Sequence, residues 1–155
     1  MALSRRSILT ALCATCMSGP AQMMHAQSRL IWSAAETLAA LHRDEIRLID
    51  IRSPQEWRMT GVAKGAWPIS MHERAFEKRL FAARTLADNR QIALICATGG
   101  RTAAVMRALA RAKYTGFVDV SEGMLGSKAG PGWVAAGLPV VTLDQALADL
   151  PQELA

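Results

Sequence analysis

Gln91-Ile92-Ala93-Leu94-Ile95-Cys96-Ala97-Thr98-Gly99-Gly100-Arg101 is the stretch on which the reading of this chain turns. Four consecutive apolar residues after Gln91 describe a strand covered on both faces, as central strands of parallel sheets are. Two glycines then give a turn, and apolar residues at Val105, Met106 and Leu109 return at helical spacing. That spacing predicts a helix over 102–113, with Gly116 just beyond its end. The stretch is therefore a strand, a tight polar loop and a helix, with a cysteine as the first residue after the strand.

Working outward, the same alternation continues. Upstream, Arg47-Leu48-Ile49-Asp50-Ile51 reads as a buried strand, and Ser53-Pro54 opens a short helix through Trp57 and Arg58 that Gly61 ends. Ser33 with Glu36 three residues on forms a capping box for an earlier helix carrying Leu38, Leu41 and His42. Residues 65–69 are a short extended piece, and 73–86 place Phe76, Leu80, Phe81 and Ala83 at amphipathic helical spacing. Downstream come a strand at Phe117-Val118-Asp119-Val120, a glycine-rich loop over 122–132, a short helix from Trp133 and a closing helix over 143–150. Strands alternating with helices predict a doubly wound α/β domain with a largely parallel sheet. Ligands of such sheets bind beyond the carboxyl ends of the strands, which is where Cys96 stands.

Composition narrows the function classes. The chain has 155 residues, 51% of them hydrophobic and 20% charged, which suits about one packed domain and excludes a disordered chain. No apolar run approaches the ~20 residues of a membrane-spanning helix, so no stable membrane association is expected. The net charge of +5 is spread from Arg5 to Lys128 without a basic stripe or interleaved aromatics, which argues against a nucleic-acid partner. A mildly basic surface suits small anions.

Residues 1–26 are set apart from the rest. Arg5 and Arg6 precede a ten-residue, mostly apolar stretch over 8–17, and no acidic residue occurs before Glu36. This is the layout of a signal peptide, and Ser4-Arg5-Arg6-Ser7-Ile8-Leu9 resembles a twin-arginine signal. Gly19 and Ala21 fit cleavage after Ala21; cleavage after Ala26 would set Met24 where a small residue is preferred. A hydrophobic first helix of the domain is the alternative. On the export reading the folded domain occupies 27–155 and is periplasmic or secreted. Removing residues 1–26 lowers the net charge from +5 to +3 and takes away Cys13 and Cys16. Cys96 is then a lone thiol that has no partner for an internal disulfide, so it is either buried and inert or present for its reactivity.

The surroundings favour reactivity. Backbone N–H groups of Ala97, Thr98, Gly99, Gly100 and Arg101 can turn inward as an anion cradle, with Gly99 and Gly100 permitting the curvature. A helix N-terminus and the Arg101 charge add positive potential, which favours a thiolate.

Cys96-x-x-Gly99-x-Arg101 resembles the active-site loop of single-domain rhodanese-like sulfurtransferases. Leu48-Ile49-Asp50-Ile51-Arg52-x-x-x-Glu56-Trp57-x-x-x-Gly61-Val62-Ala63-x-Gly65-Ala66 resembles that family's first signature, and Glu122-Gly123 with Gly132-Trp133-x-x-x-Gly137-Leu138-Pro139-Val140 resembles its closing segment. The chain departs from the family pattern at Val62 and Ala63, where histidine and isoleucine are usual, and at Ala97, where many members carry a basic side chain. The resemblance implies a rhodanese-like fold with a mostly parallel five-stranded sheet and helices on both faces. It implies that Cys96 takes a sulfane sulfur from a small anionic donor such as thiosulfate. The persulfide, held by residues 97–101, then passes it to cyanide or to a small or protein thiol. Four residues separate Cys96 from Arg101, against five in related phosphatases, which favours a single sulfur atom over a tetrahedral oxyanion. Asp50, Arg52 and Glu56 are expected to form a structural ion-pair group beneath the loop, and Arg101 either to contact substrate or to tie the loop down. Trp57, Trp67 and Trp133 read as packing residues, and Lys128 as a rim cation or a solvated loop lysine. No cofactor is implied, and His42 and His72 lack partners at metal-ligand spacing. Rival readings are a non-catalytic binding or sulfur-carrier module of the same fold and, more distantly, a phosphatase.

Overall fold

The apolar run at 91–95 becomes the middle strand of the sheet. A computed structural model describes residues 30–155; the leader expected at 1–26 lies outside the described residues. In chain order the elements are β1 (Ile31–Trp32), α1 (Ala34–His42), β2 (Ile46–Asp50), α2 (Pro54–Thr60), β3 (Val62–Ala63), β4 (Ala66–Pro68) and α3 (Phe76–Leu86). They continue with β5 (Gln91–Ile95), α4 (Gly100–Arg111), β6 (Phe117–Val120), α5 (Gly132–Ala135), β7 (Val140–Val141), α6 (Leu143–Ala148) and a 3-10 turn at Gln152–Leu154. Five strands run parallel in the order β1-β6-β5-β2-β4. β3 and β7 pair antiparallel in a separate ribbon, Val62 opposite Val141.

Side-chain alternation along the central strands sorts the core into two layers. Ile46, Leu48, Ala93, Ile95, Val118 and Val120 face one cluster, which also holds Trp57 and Trp133. Ile49, Ile92, Leu94, Cys96 and Phe117 face the other, with Leu80 and Ala83 of α3 and Leu109 of α4. Helices thus cover both faces, as expected, and Trp67 packs against the second layer.

Two helix starts and one ribbon differ from the sequence reading. α4 begins at Gly100 rather than at residue 102, because Gly99 at φ 80° turns the chain straight into the helix without a side-chain cap that apolar spacing could register. α3 begins at Phe76 rather than 73, since residues 73–75 turn back and Glu73 pairs with Arg79 at 2.7 Å. The β3–β7 ribbon was not foreseen; two residues per strand are too few to display alternation.

Candidate active site

Cys96 follows β5 at the carboxyl edge of the sheet, and strand alternation turns its side chain toward α4. Only 1% of the residue is exposed. Its Sγ lies 3.7 Å from the Oγ1 of Thr102, whose hydroxyl donates to the Gly99 carbonyl at 2.9 Å. Thr102 belongs to the first turn of α4 and is itself fully buried.

The loop between strand and helix is fixed from outside by the segment after β6. Met124 N–H donates to the Cys96 carbonyl and Leu125 N–H to the Ala97 carbonyl, both at 2.8 Å. The two segments lie so close that a Cβ on Gly123 would stand 2.4 Å from the Ala97 oxygen, and one on Gly99 2.2 Å from the Ser121 oxygen. Both glycines have positive φ. Gly100 does not, and its Cβ position is open, so Gly99 alone carries the curvature expected of the pair. With the carbonyls engaged on the outer side, the N–H groups of residues 97–102 are left: none has an acceptor among the described residues. Six donors without internal acceptors, next to a buried sulfur at a helix N-terminus, are chemically suited to an anion.

Asp50, Arg52 and Glu56 do not form one ion-pair group. Asp50 and Arg52 are both fully buried, and the Arg52 guanidinium is filled by the Asp50 carboxylate at 2.7 Å, Thr60 Oγ1 at 2.7 Å and the Gly61 carbonyl at 2.7 Å. Glu56 is not among these partners; it instead accepts two bonds from Arg101, at 2.8 and 2.5 Å. The same Glu56 carboxylate accepts from the Ser53 N–H at 2.9 Å and Oγ at 2.8 Å, completing the capping box of α2. The Arg101 hydrogen bond, against opposing burial, draws the Glu56 carboxyl down to about 2. Arg101 is therefore placed as a tie between α2 and α4 across the edge of the loop.

Lys128 is exposed and makes no ion pair among the described residues. His42 and His72 are exposed, and no group of three His, Cys, Asp or Glu side chains suited to a metal occurs among the described residues. The sequence reading takes Thr102 and Asp119 only as part of a helix and a strand; Glu122, from the closing signature, accepts from the Gly132 N–H at 3.2 Å. The alternation of β6 would have placed Asp119 on the Cys96 face, two residues after Phe117.

The Rhodanese-like domain model matches residues 33–129, well over half of the chain. The chain belongs to the rhodanese-like domain family. This membership places it in the sulfurtransferase superfamily, with sulfur transfer or a related activity. Similar solved structures include Rv0390 from M. tuberculosis, with 23% identity and a TM-score of 0.51 over 70% of this chain and 94% of that one. A rhodanese-related protein from Thermoplasma volcanium has 25% identity and a TM-score of 0.48, covering 71% and 95% of the two chains. A protein of unknown function from Rhodopseudomonas palustris, described as a possible tyrosine phosphatase, has 20% identity and a TM-score of 0.49, covering 73% and 83%. No curated protein matches the chain.

Proposed function

We propose that this rhodanese-like chain is an exported sulfurtransferase of the thiosulfate type, with Cys96 as its nucleophile. In the first step the Cys96 thiolate attacks the outer sulfur of thiosulfate. A new S–S bond forms at Sγ, the old one breaks, and its electron pair leaves on sulfite. In the second step cyanide or an acceptor thiolate attacks the outer sulfur of the persulfide, and the Cys96 thiolate departs with the electron pair. Donor, thiolate and acceptor supply every atom and electron, so no cofactor enters. The observation that carries this reading is the run of six N–H groups, residues 97–102, that have no acceptor among the described residues and directly follow the buried Cys96 thiol. Donors left without internal partners can stabilise charge on the outer sulfur. The layout of residues 1–26 supports export to the periplasm or beyond.

A sulfur-carrier module serving one dedicated partner is the second reading, favoured by the depth of Cys96. One experiment addresses these points: the intact mass of the chain recovered from the exported fraction, before and after thiosulfate. The expected result is a mass lacking the leader that gains one sulfur, lost again with cyanide, and no gain in Cys96→Ala. A carrier loads but turns over poorly with cyanide. Absence of loading with both thiosulfate and low-molecular-weight persulfides would sink both readings, as would loading in Cys96→Ala.

A further inference from the structure

One strip of the sheet is left uncovered on the face that carries Cys96. β1 is an edge strand, and its Trp32 packs into the core of the opposite face. Ile31, in register with Asp119, is left on the near side, where a groove of about 600 Å³ separates it from α4. Ala103, Met106, Arg107 and Ala110 form the helix wall at i, i+3, i+4 and i+7 spacing, a single stripe of α4. Leu30, Ile31 and Tyr114 line the same groove, and each is more than half exposed.

The charges beside this apolar floor have one sign. From Gly100 to Lys113 the chain holds Arg101, Arg107, Arg111 and Lys113 and no acidic residue. Arg101 is taken by Glu56, but Arg107, Arg111 and Lys113 are exposed and form no ion pair among the described residues. Arg107 and Arg111 stand one helical turn apart, a spacing at which like charges repel. The carboxylate in the lining, Asp119, is buried and pairs with none of them.

We propose that the groove between α4 and β1 docks an acidic, amphipathic segment of another protein. Apolar side chains of that segment lie on Ile31, Met106 and Tyr114, and its carboxylates meet Arg107, Arg111 and Lys113. An exposed apolar patch rimmed by charge is the usual mark of such a surface, and helix-in-groove docking its usual geometry. Charge argues against nearer occupants. Residues 1–29 contain Arg5, Arg6 and Arg29 and no acid, so they are repelled by the rim. A second copy could offer the acidic end of its chain, with Asp144, Asp149 and Glu153, but Leu147 is the one large apolar residue exposed there, too little to cover this floor. A nucleic acid would find one stacking ring, Tyr114. None of residues 96–102 lines the groove, so its occupancy is independent of sulfur transfer at Cys96.

The probe is a fluorescein-labelled peptide of about fifteen residues, roughly four helical turns, with leucines along one face and glutamates elsewhere. Its anisotropy is followed against the full chain at about 50 mM salt. Saturable binding is expected. Arg107→Glu combined with Lys113→Glu weakens it about tenfold, as attraction at an exposed rim becomes repulsion. Ala110→Glu, which sets a carboxylate on the apolar floor, weakens it at least as much. Arg58→Glu combined with Lys64→Glu alters the net charge equally but away from the groove, and leaves affinity within about twofold. A scrambled peptide of the same composition binds about tenfold more weakly. The two groove variants are independent, so either one that keeps the wild-type unfolding temperature decides. Absence of saturable binding overturns the proposal. Equal binding of the scrambled peptide, or equal weakening by the distant pair, reduces the effect to net charge and overturns it as well. Phosphatidylcholine vesicles with about a third phosphatidylserine, and sedimentation of the chain alone, probe the other occupants. Vesicle binding or self-association that Ala110→Glu abolishes gives the groove to a lipid surface or a second copy instead, and overturns the assignment.

Discussion

Gly123 has no side chain because the Ala97 carbonyl occupies the space where one would begin. A Cβ there would stand 2.4 Å from that oxygen at a φ of 69°, and the oxygen is backbone that cannot swing aside. Gly123→Ala is therefore expected to destabilise the fold by roughly 1–3 kcal/mol, from strain at positive φ and displacement of the loop. It should also slow sulfur loading at Cys96, since the amide donors move with the loop. Gly100→Ala is the matched control, with ordinary φ and nothing within 4 Å of its Cβ position. Its stability should stay within about 0.5 kcal/mol of wild type. Urea unfolding and thiosulfate loading of both variants check the pair; equal behaviour would show that the two segments are not clamped as described.

Among the elements, α2 and α4 are coupled by one carboxylate. Glu56 closes the capping box at Ser53 and holds the fork of Arg101, and these bonds draw its carboxyl from 4.5 to about 2. The sign follows from that direction. A carboxyl whose folded value is depressed adds stability that is complete above its unfolded value and disappears as pH falls through the folded one. Glu56→Gln keeps an amide fit for the cap but loses the charge pair. Its deficit is expected to be about 1 kcal/mol near pH 7, after solvent screening of a partly exposed pair, and to shrink toward nothing between pH 4.5 and 2. Urea midpoints at pH 7, 4 and 2.5 measure it; a deficit independent of pH would refute the charge-pair account. The capping half of this arrangement was legible in sequence, because Ser53-x-x-Glu56 has the same spacing as Ser33-x-x-Glu36, and both boxes form. The Arg101 half was not. Its partner lies 45 residues away, and local spacing says nothing about which helices meet.

For the molecule as a whole, the parallel sheet was readable because central strands covered on both faces show as continuous apolar runs, and 91–95 is such a run. β1, β3 and β7 carry no such signal at two residues each. The buried charge pair was visible as Asp50-x-Arg52 but its enclosure was not, since Thr60 and the Gly61 carbonyl arrive from the end of α2. Arg52 joins β2, α2 and the start of β3 through these contacts. Asp50→Ala would leave the guanidinium buried without its counter-charge, at an expected cost of about 3–5 kcal/mol in urea unfolding. A loss under 1 kcal/mol would mean that Arg52 escapes to solvent. The depth of Cys96 acts, finally, as a sieve. A thiol with 1% of its residue exposed admits a reactant only by a narrow leading tip. Two copies of this molecule, each with its sulfur so nearly enclosed, do not bring those sulfurs within bonding distance. The thiol is thereby guarded against cross-linking by shape alone.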